Sequence, residues 1–240
     1  MIRVGTAGWQ VPRAVRDRFP EAGSTLQRYA GVFPAVEINA TFYRPPRPAT
    51  FERWAATTPS GFRFAVKAPR SVTHERKLVE TEALIEAFLA QISVLGEKLG
   101  PVLVQLPPSL AFDAEVARRF FGALRARFEG EVACEPRHPS WFETGADQTL
   151  AAVRVARAAA DPACVPAAAE PGGWRGFKYH RLHGSPQMYR SFYGPERIAA
   201  LAARLGDPAW VFFDNTMTGA AAADAMALQA VLGGAGAQDD

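Results

Sequence analysis

Eight apolar segments of strand length recur along the chain, and patterns typical of helices separate most of them. The predicted strands cover residues 2–6, 35–40, 62–67, 102–106, 131–135, 155–160, 177–183 and 210–214. The predicted helices cover residues 24–32, 49–57, 80–99, 113–128, 147–153, 195–205 and 218–232. Strands that alternate with helices form parallel sheets, because each crossover returns the chain to the same end of the sheet. Eight such units predict an α/β fold, a TIM-type (β/α)8 barrel.

The predicted barrel takes up the whole chain, residues 1–240, as a single domain. One-domain barrels commonly reach about 200–250 residues, and no linker or repeat divides this sequence. The Gly-rich end, residues 233–240, is expected to be a frayed tail. The segment 155–160 suits a helix as well as a strand, so the position of the sixth strand stays open.

Polar side chains share one face of the predicted strands. Side chains alternate along a strand, so apolar Val36 and Ile38 face one way and Glu37 the other. The apolar face is expected to lie under the helices, which turns the polar face into the barrel. The inward set comprises Glu37, Asn39, Lys67, Gln105, Glu135, Arg181, His183 and Asn215. An unpaired neutral polar group costs roughly 2–7 kcal/mol when buried. We therefore predict one paired network at the carboxyl ends of the strands, where barrel active sites lie; a purely structural polar plug is the alternative.

Four of these groups are candidate catalytic residues. Glu37 and Glu135 are a candidate general acid and base, and which of them is the acid stays open. Their strands lie three apart around the ring, so the two carboxyls are expected to flank the pocket. Lys67 is a candidate base or Schiff-base amine, with a salt bridge to Glu37 as the alternative. His183 is a candidate for acid–base catalysis or metal binding.

Further residues are candidates for substrate binding. They are Asn39, Tyr43, His74, Gln105, Arg137, His138, Arg181 and Asn215. The loops after the last two strands of such barrels commonly hold phosphate, and Arg181, Lys67 and Arg137 favour an anionic ligand. We expect a small phosphorylated or carboxylated molecule.

The sequence motifs identify no cofactor. Gly5-Thr6-Ala7-Gly8 lacks the third glycine spacing of a dinucleotide-binding loop. Two cysteines, Cys134 and Cys164, are too few for a disulfide framework or a Cys-based zinc site. Carboxylate and imidazole groups suit divalent metals, although no two of the candidate ligands have a diagnostic short spacing. Those candidate metal ligands are Glu37, Glu135, Asp161 and His183.

Charge and hydropathy limit the partners. The net charge is +3 and the pI is about 9.1, which permits nucleic acid as a partner without requiring it, because no block of like charges occurs. The arginines expected at the rim, which motivate that partner, are Arg44, Arg47, Arg70 and Arg76. No stretch approaches the roughly 18 apolar residues of a membrane span, and the first residues are too short an apolar run for a signal peptide. We therefore expect a cytoplasmic protein with no membrane association.

Six motifs resemble those of one known family. They are Gly5-Thr6-Ala7-Gly8-Trp9, Val36-Glu37-Ile38-Asn39-Ala40-Thr41-Phe42-Tyr43, Phe64-Ala65-Val66-Lys67-Ala68-Pro69 with Thr73-His74, Gln105-Leu106-Pro107-Pro108, Glu135-Pro136-Arg137-His138-Pro139-Ser140-Trp141 and Arg181-Leu182-His183-Gly184. On these motifs the chain resembles the YecE-like family, the domain of unknown function 72. The resemblance covers nearly the whole chain and implies a (β/α)8-type barrel, but no particular activity.

The chain departs from this family's pattern at three places. Gln10-Val11-Pro12 stands where the family usually has a Tyr and a Trp, which affects the shape of the pocket rim. The last strand ends in Asp214-Asn215-Thr216 where the family typically has Asn-Asn-Thr, which adds a carboxylate that affects metal affinity. The segment around Asp161-Pro162 matches only loosely.

Three functions are consistent with the sequence. The leading hypothesis is an enzyme that applies acid–base chemistry to a small anionic substrate, of the hydrolase or the lyase and isomerase class. In it Glu37 and Glu135 move protons, and Lys67 and Arg181 hold the anion with help from His183. The second is a metal-dependent phosphodiesterase or endonuclease-like DNA-binding protein, by analogy with other barrels. The third is a non-catalytic metabolite-binding barrel.

Overall fold

The computed structural model describes residues 1–235 and contains ten strands. They are β1 (Ile2–Thr6), β2 (Ala35–Ile38), β3 (Arg63–Lys67), β4 (Leu99–Gln105), β5 (Val132–Glu135), β6 (Ala156–Arg157), β7 (Ala159–Asp161), β8 (Gly172–Gly173), β9 (Lys178–Leu182) and β10 (Ala209–Phe213). Each predicted strand overlaps an observed one. The predicted sixth strand is divided into β6 and β7 at Ala158, and β8 was not predicted.

The strands form two sheets, in the orders β1-β10-β9-β7 and β2-β3-β4-β5-β6-β8. All of their pairings are parallel except that of β6 with β8. The sheets approach each other where Ala7 forms a parallel bridge with Glu37. A Cβ at Gly5 would lie 2.0 Å from the carbonyl oxygen of Ala35, so only glycine permits this approach of β1 to β2. The structure confirms the predicted α/β fold with mainly parallel strands. The paired strands of residues 1–235 form two sheets, and this pairing does not confirm a closed barrel.

Helices cover the sheets in most of the connections. They are α1 (Thr25–Ala30), α2 (Ala40–Tyr43), α3 (Pro48–Thr57), α4 (Glu82–Ile92), α5 (Ala114–Arg125), α6 (Thr144–Ala152), α7 (Pro195–Arg204) and α8 (Ala220–Ala235). Of the predicted helix 80–99, α4 ends at Ile92 and a 3-10 segment, Ser93–Lys98, follows; in that segment Gly96 takes a φ of 55°, which breaks the helical path before β4. Residues 233–235 of the predicted frayed tail belong to α8, and residues 236–240 lie outside the described residues. None of the helices within residues 1–235 is long and apolar enough to cross a membrane.

Two apolar clusters follow from the alternation of side chains. Val36, Ile38 and Val66 pack with helical residues such as Ile85 in the larger cluster. The opposite faces of the same strands contribute Ala35 and Ala65 to a smaller cluster, which also holds Tyr179, Trp210 and Phe212 from the other sheet. The smaller cluster therefore joins the two sheets. Further along the same strand faces, towards the carboxyl ends, apolar side chains give way to charged ones.

Candidate functional site

Arg181 lies at the centre of a buried ion-pair network at the carboxyl ends of the strands. It is on β9 and only 1% exposed, and its guanidinium meets Glu37, which is fully buried on β2. Arg181 Nη2 donates to Glu37 Oε1 at 2.7 Å and Nε donates to Oε2 at 3.0 Å. Such bidentate geometry fixes both planar groups and gives the strong form of a charge-assisted hydrogen bond.

Glu135, at the end of β5, is the second carboxylate bound by Arg181. Arg181 Nη1 donates to Glu135 Oε2 at 2.6 Å, and Arg137 Nη2 lies 2.5 Å from Glu135 Oε1. Burial alone would raise the pKa of the Glu135 carboxyl, but the charges of Arg181 and Arg137 outweigh burial and hold the pKa well below its usual range. Glu135 is therefore ionised at neutral pH and is a poor proton donor.

His183 and Asp214 complete the charged part of the network. Asp214 Oδ2 accepts from Arg181 Nη2 at 3.1 Å and lies 3.0 Å from His183 Nδ1. His183 Nε2 lies 3.2 Å from Glu135 Oε1 and 2.8 Å from Arg137 Nη2. The imidazole thus bridges two carboxylates, a position that orients the ring. Asp214 stands where the resemblance predicts an asparagine, and here it is a partner of Arg181.

Tyr179 belongs to the network and was not predicted. Its hydroxyl donates to Glu37 Oε2 at 2.7 Å, and the side chain is fully buried. Burial first, and then the charge of Glu37, raise the pKa of the Tyr179 hydroxyl well above its ordinary value, so it stays protonated. Alternation could have found this residue, because Tyr179 lies two positions before Arg181 on the same strand face. We refer below to Glu37, Glu135, Arg137, Tyr179, Arg181, His183 and Asp214 as the buried network.

An open cleft of about 560 Å³ lies above the buried network. Five predicted site residues line it together: Tyr43, Lys67, His74, Gln105 and Arg137. Arg70, Cys164 and Tyr189, which were not predicted as site residues, line it too. None of the described residues around the cleft carries a carboxyl group. The cleft is therefore cationic on its surface, and its volume suits a small molecule.

Lys67, at the end of β3, is the most perturbed of these cations. Its Nζ lies 4.1 Å from the ring centroid of Phe42, within cation–π distance. Burial and then the charge of Arg181 lower the pKa of Lys67 to about 8, although the network carboxylates raise it in part. Within residues 1–235 no carboxylate lies within ion-pair distance of this ammonium, and the predicted salt bridge to Glu37 is replaced by that of Arg181.

His74 lies beside Lys67 on the short helical segment Ser71–Glu75. Its Nδ1 is 2.8 Å from Thr73 Oγ1, and its ring packs edge-on against Phe42 at 4.9 Å. Burial, Lys67 and Arg70 lower the pKa of His74, so the imidazole is neutral at pH 7. A neutral imidazole can donate one hydrogen bond to a ligand without adding charge.

Four residues predicted to bind substrate do not line the cleft: Arg181, which lies in the buried network, and His138, Asn215 and Asn39. His138 Nδ1 accepts from Ser140 N at 3.3 Å and caps the turn Pro139–Phe142. Asn215 is fully buried and donates to Ser191 O at 2.8 Å and to Asp224 Oδ2 at 2.7 Å, which ties the loop before Tyr193 to α8. Asn39 precedes α2, and its Oδ1 is buried without a hydrogen-bond partner among the described residues.

The set of residues predicted as metal ligands does not fit a metal. The side chain of Asp161 binds Arg197 at 2.7 Å and Tyr193 at 3.2 Å, and forms no hydrogen bond or ion pair with the side chains of the other three residues. Both glutamates of the set already bind the guanidinium of Arg181, which would repel a cation. Of residues 1–235, no group of three carboxylate, thiol or imidazole side chains is placed to hold a metal ion.

Two of the four rim arginines predicted to favour nucleic acid are engaged in ion pairs. Arg70 lies 3.1 Å from Glu75, and Arg76 lies 3.8 Å from Glu80. All four of these side chains are at least half exposed, so the pairs are weak in water.

Comparison with known proteins agrees with the resemblance in the sequence. Over 152 residues the chain is 33% identical to the UPF0759 protein YecE of Escherichia coli K12, covering 62% of this chain and 54% of YecE. It is 31% identical over 150 residues to the UPF0759 protein YunF of Bacillus subtilis, covering 59% of this chain and 52% of YunF. The matched region thus spans about half the length of these curated relatives.

Solved structures show the same fold. A DUF72 family protein from Enterococcus faecalis V583 superposes with a TM-score of 0.80 at 23% identity, covering 97% of this chain and 96% of that one. A DUF72 family protein from Thermotoga maritima MSB8 superposes with a TM-score of 0.77 at 27% identity, covering 97% and 99%. The profile of the family described as Protein of unknown function DUF72 matches residues 3–239, and the chain belongs to that family.

Proposed function

We propose that the cleft binds a small phosphorylated or carboxylated molecule and that the protein is an enzyme in which Lys67 acts as the base or amine nucleophile. The observation that carries this proposal is the side chain of Lys67, which lines a carboxylate-free cleft without an ion pair of its own. Arg137 and Arg70 line the same cleft and would bind the anionic group.

The state of Lys67 supports a chemical role. With a pKa of about 8, about a quarter of its amine is neutral at pH 7.5, against roughly one in a thousand for a lysine of ordinary pKa. A neutral amine accepts a proton or attacks a carbonyl carbon, which an ammonium cannot do. Phe42 holds the side chain at the cleft wall through its ring face.

The buried network would support these groups rather than react. Glu135 fixes Arg137 at the cleft, and Arg181 fixes Glu135 and Glu37 beneath it. Arg181 binds both Glu37 and Glu135, and both carboxylates are fully buried. In this proposal Lys67 therefore carries out the proton transfer that the sequence analysis predicted for the two glutamates. His183 would orient Arg137 through their 2.8 Å contact.

We also propose that the two sheets together form the closed eight-stranded barrel. Ala7 N donates to Phe213 O and Gly8 N donates to Glu37 O, both at 2.9 Å, which links β10, β1 and β2. On the other side, β6 pairs with β5 and β7 pairs with β9, while Ala158 N donates to Cys134 O between them. Counted as one strand with a break, β6 and β7 would close the ring.

Reductive trapping with glyoxylate tests the proposed function. Glyoxylate is a small carboxylated aldehyde, and its condensation with a neutral amine forms a carbon–nitrogen double bond with loss of water. Borohydride then reduces that bond to a stable secondary amine, which mass spectrometry locates. The chain has four lysines, at 67, 77, 98 and 178. The other three therefore serve as internal references for the labelling rate of Lys67.

At pH 7.5 we expect Lys67 to be labelled at least tenfold faster than exposed Lys77. Inorganic phosphate should slow labelling of Lys67 but not of Lys77, and Arg137→Gln should reduce that protection. Equal rates at both lysines would contradict a neutral amine at Lys67. Phosphate protection without faster labelling would instead support the non-catalytic metabolite-binding barrel.

A further inference from the structure

Two exposed aromatic side chains line the cleft together with its cations. Three aromatic side chains of residues 1–235 are exposed, Tyr43 at 76%, Phe192 at 59% and Tyr189 at 39%, and of these Tyr43 and Tyr189 line the cleft. Removing an aromatic ring from water is favourable, so a ring at the wall of an open cleft presents apolar area that a ligand can cover. The cleft therefore offers ring surfaces as well as positive charge.

The backbone fixes Tyr189 close to Arg137. The φ of Tyr189 is 65°, a left-handed value that is uncommon for a bulky residue and persists only where the surrounding structure imposes it. Two backbone hydrogen bonds impose it here, from Tyr189 N to His183 O and from Met217 N to Tyr189 O. The Tyr189 ring packs edge-on against His183 with centroids 5.9 Å apart, and His183 Nε2 lies 2.8 Å from Arg137 Nη2. The loops after β9 and β10 thus hold this ring near an arginine of the cleft.

Tyr43 lies close to the second cation, Lys67. Its ring packs edge-on against Phe42 with centroids 4.9 Å apart, and Lys67 Nζ lies 4.1 Å from the centroid of the Phe42 ring. Tyr43 is the last residue of α2, directly after β2, so its position depends on a short helix rather than on a long loop. Aromatic area and positive charge are therefore combined at two places in the cleft, once at Tyr189 and once at Tyr43.

We propose that the ligand of the cleft is a planar conjugated ring that carries a phosphate or carboxylate group. The ring stacks on the aromatic walls formed by Tyr43 and Tyr189. The anionic group binds the neighbouring cations, Arg137 and Lys67. This inference rests on the proposed function, from which it takes the binding of an anion, and it adds the ring. Stacking accepts any ring with a π-face, so shape and charge define this ligand class.

Three phosphate monoesters test the ring, because they share the charged group and differ in what it carries. They are methyl, cyclohexyl and phenyl phosphate, and isothermal titration calorimetry measures their dissociation constants without any reaction at Lys67. We expect phenyl phosphate to bind about tenfold more tightly than methyl phosphate, which is the size of one stacking contact. Cyclohexyl phosphate has six carbons in a puckered ring and should bind with an affinity between these two.

Substitutions at the aromatic walls identify the stacking partners. Tyr189→Asn removes the ring and keeps a residue type that tolerates a left-handed backbone. Tyr189→Asn and Tyr43→Ala should each reduce the preference for phenyl over methyl phosphate to about threefold or less, whereas Tyr189→Phe should keep it. Phe192→Ala is the matched control, since Phe192 is exposed and does not line the cleft, and it should change neither affinity. Arg137→Gln should weaken the binding of both esters by a similar factor.

Each alternative result would overturn the proposal in a distinct way. Equal affinities of phenyl and methyl phosphate for the wild-type chain would refute the ring and leave the proposed anion binding in place. Equal affinities of phenyl and cyclohexyl phosphate would show that the cleft recognises apolar area rather than a planar ring. Binding of none of the three esters would refute the anion site as well, while glyoxylate trapping reports separately on the amine of Lys67.

Discussion

Lys67 is expected to weaken the folded state at neutral pH, so Lys67→Met should stabilise it. Burial lowers the pKa of this ammonium from 10.5 to about 8 even though three carboxylates lie nearby. Because a pKa difference of one corresponds to about 1.4 kcal/mol, keeping this amine charged at pH 7 costs the folded chain about 3 kcal/mol relative to the unfolded one. Methionine is flexible and uncharged and avoids that cost. We expect Lys67→Met to raise the free energy of unfolding by about 3 kcal/mol at pH 7.

The sign of the pH dependence follows from the direction of the shift. Between pH 8 and 10.5 the unfolded chain binds a proton at Lys67 that the folded chain has released. Wild-type stability therefore rises with pH across that window. The advantage of Lys67→Met should be full below pH 8, fall to about 2 kcal/mol at pH 9 and nearly vanish by pH 10.5.

Urea denaturation followed by tryptophan fluorescence at pH 7, 9 and 10.5 measures this effect. Lys77→Met is the matched control, since Lys77 is exposed and its substitution should change stability by less than about 0.5 kcal/mol. A Lys67→Met variant that is less stable than wild type at pH 7 would refute the reasoning. It would show that attraction to the buried carboxylates outweighs burial of the ammonium.

Three further substitutions test the buried network. Arg181→Met should lower the free energy of unfolding in urea by about 3–5 kcal/mol, because it leaves Glu37 and Glu135 buried without their central partner, and near-wild-type stability would contradict this. The pKa of the Glu135 carboxyl is lower in the folded chain than in the unfolded chain, so ionised Glu135 stabilises the folded state at every pH above its unfolded pKa. This stabilisation is lost as the pH falls through the pKa of the folded chain. Glu135→Gln should therefore be less stable at pH 7 and should lose less stability than wild type on acidification, as measured by urea denaturation at pH 7, 5 and 3. Asp214 raises the pKa of Lys67, so Asp214→Asn should shift the pH midpoint of glyoxylate trapping at Lys67 downwards, and an unchanged midpoint would exclude that coupling.

The fold was predictable from local pattern because most strands alternate with helices and have continuous apolar faces. Where the prediction differs from the structure, a local geometric cause is visible. At Ala158 the sixth strand changes from pairing with β5 to pairing with β9, and no Gly or Pro marks this change in the sequence. The short helix α2 follows β2 directly, in a segment of aromatic and β-branched residues that gives no periodic signal.

The members of the site were more predictable than their positions within it. The alternation of side chains along the strands places Glu37, Lys67 and Arg181 on one face, but it does not indicate how deeply each side chain is buried. Arg181 reaches under Lys67 to both carboxylates, because five guanidinium donors bind two partners at once while one ammonium cannot match that geometry. Pairing of this kind depends on distances between strands that are far apart in sequence. His138 shows the same limit, since its capping bond to Ser140 is local and does not reach the cleft.

The arrangement of charges explains how a balanced set of ions can still favour an anion. The three carboxylates Glu37, Glu135 and Asp214 are matched in number by the three cationic side chains Arg181, Arg137 and Lys67, so the charges of these six groups balance. The two glutamates are the most deeply buried members, while Arg137 and Lys67 reach the cleft. An anion in the cleft therefore approaches the positive ends of oriented ion pairs, with their negative ends held away behind them in a region of low polarisability. Lys67 is the cation in this set without a carboxylate of its own, which is why the proposed anion binding and the proposed proton transfer both involve this one side chain.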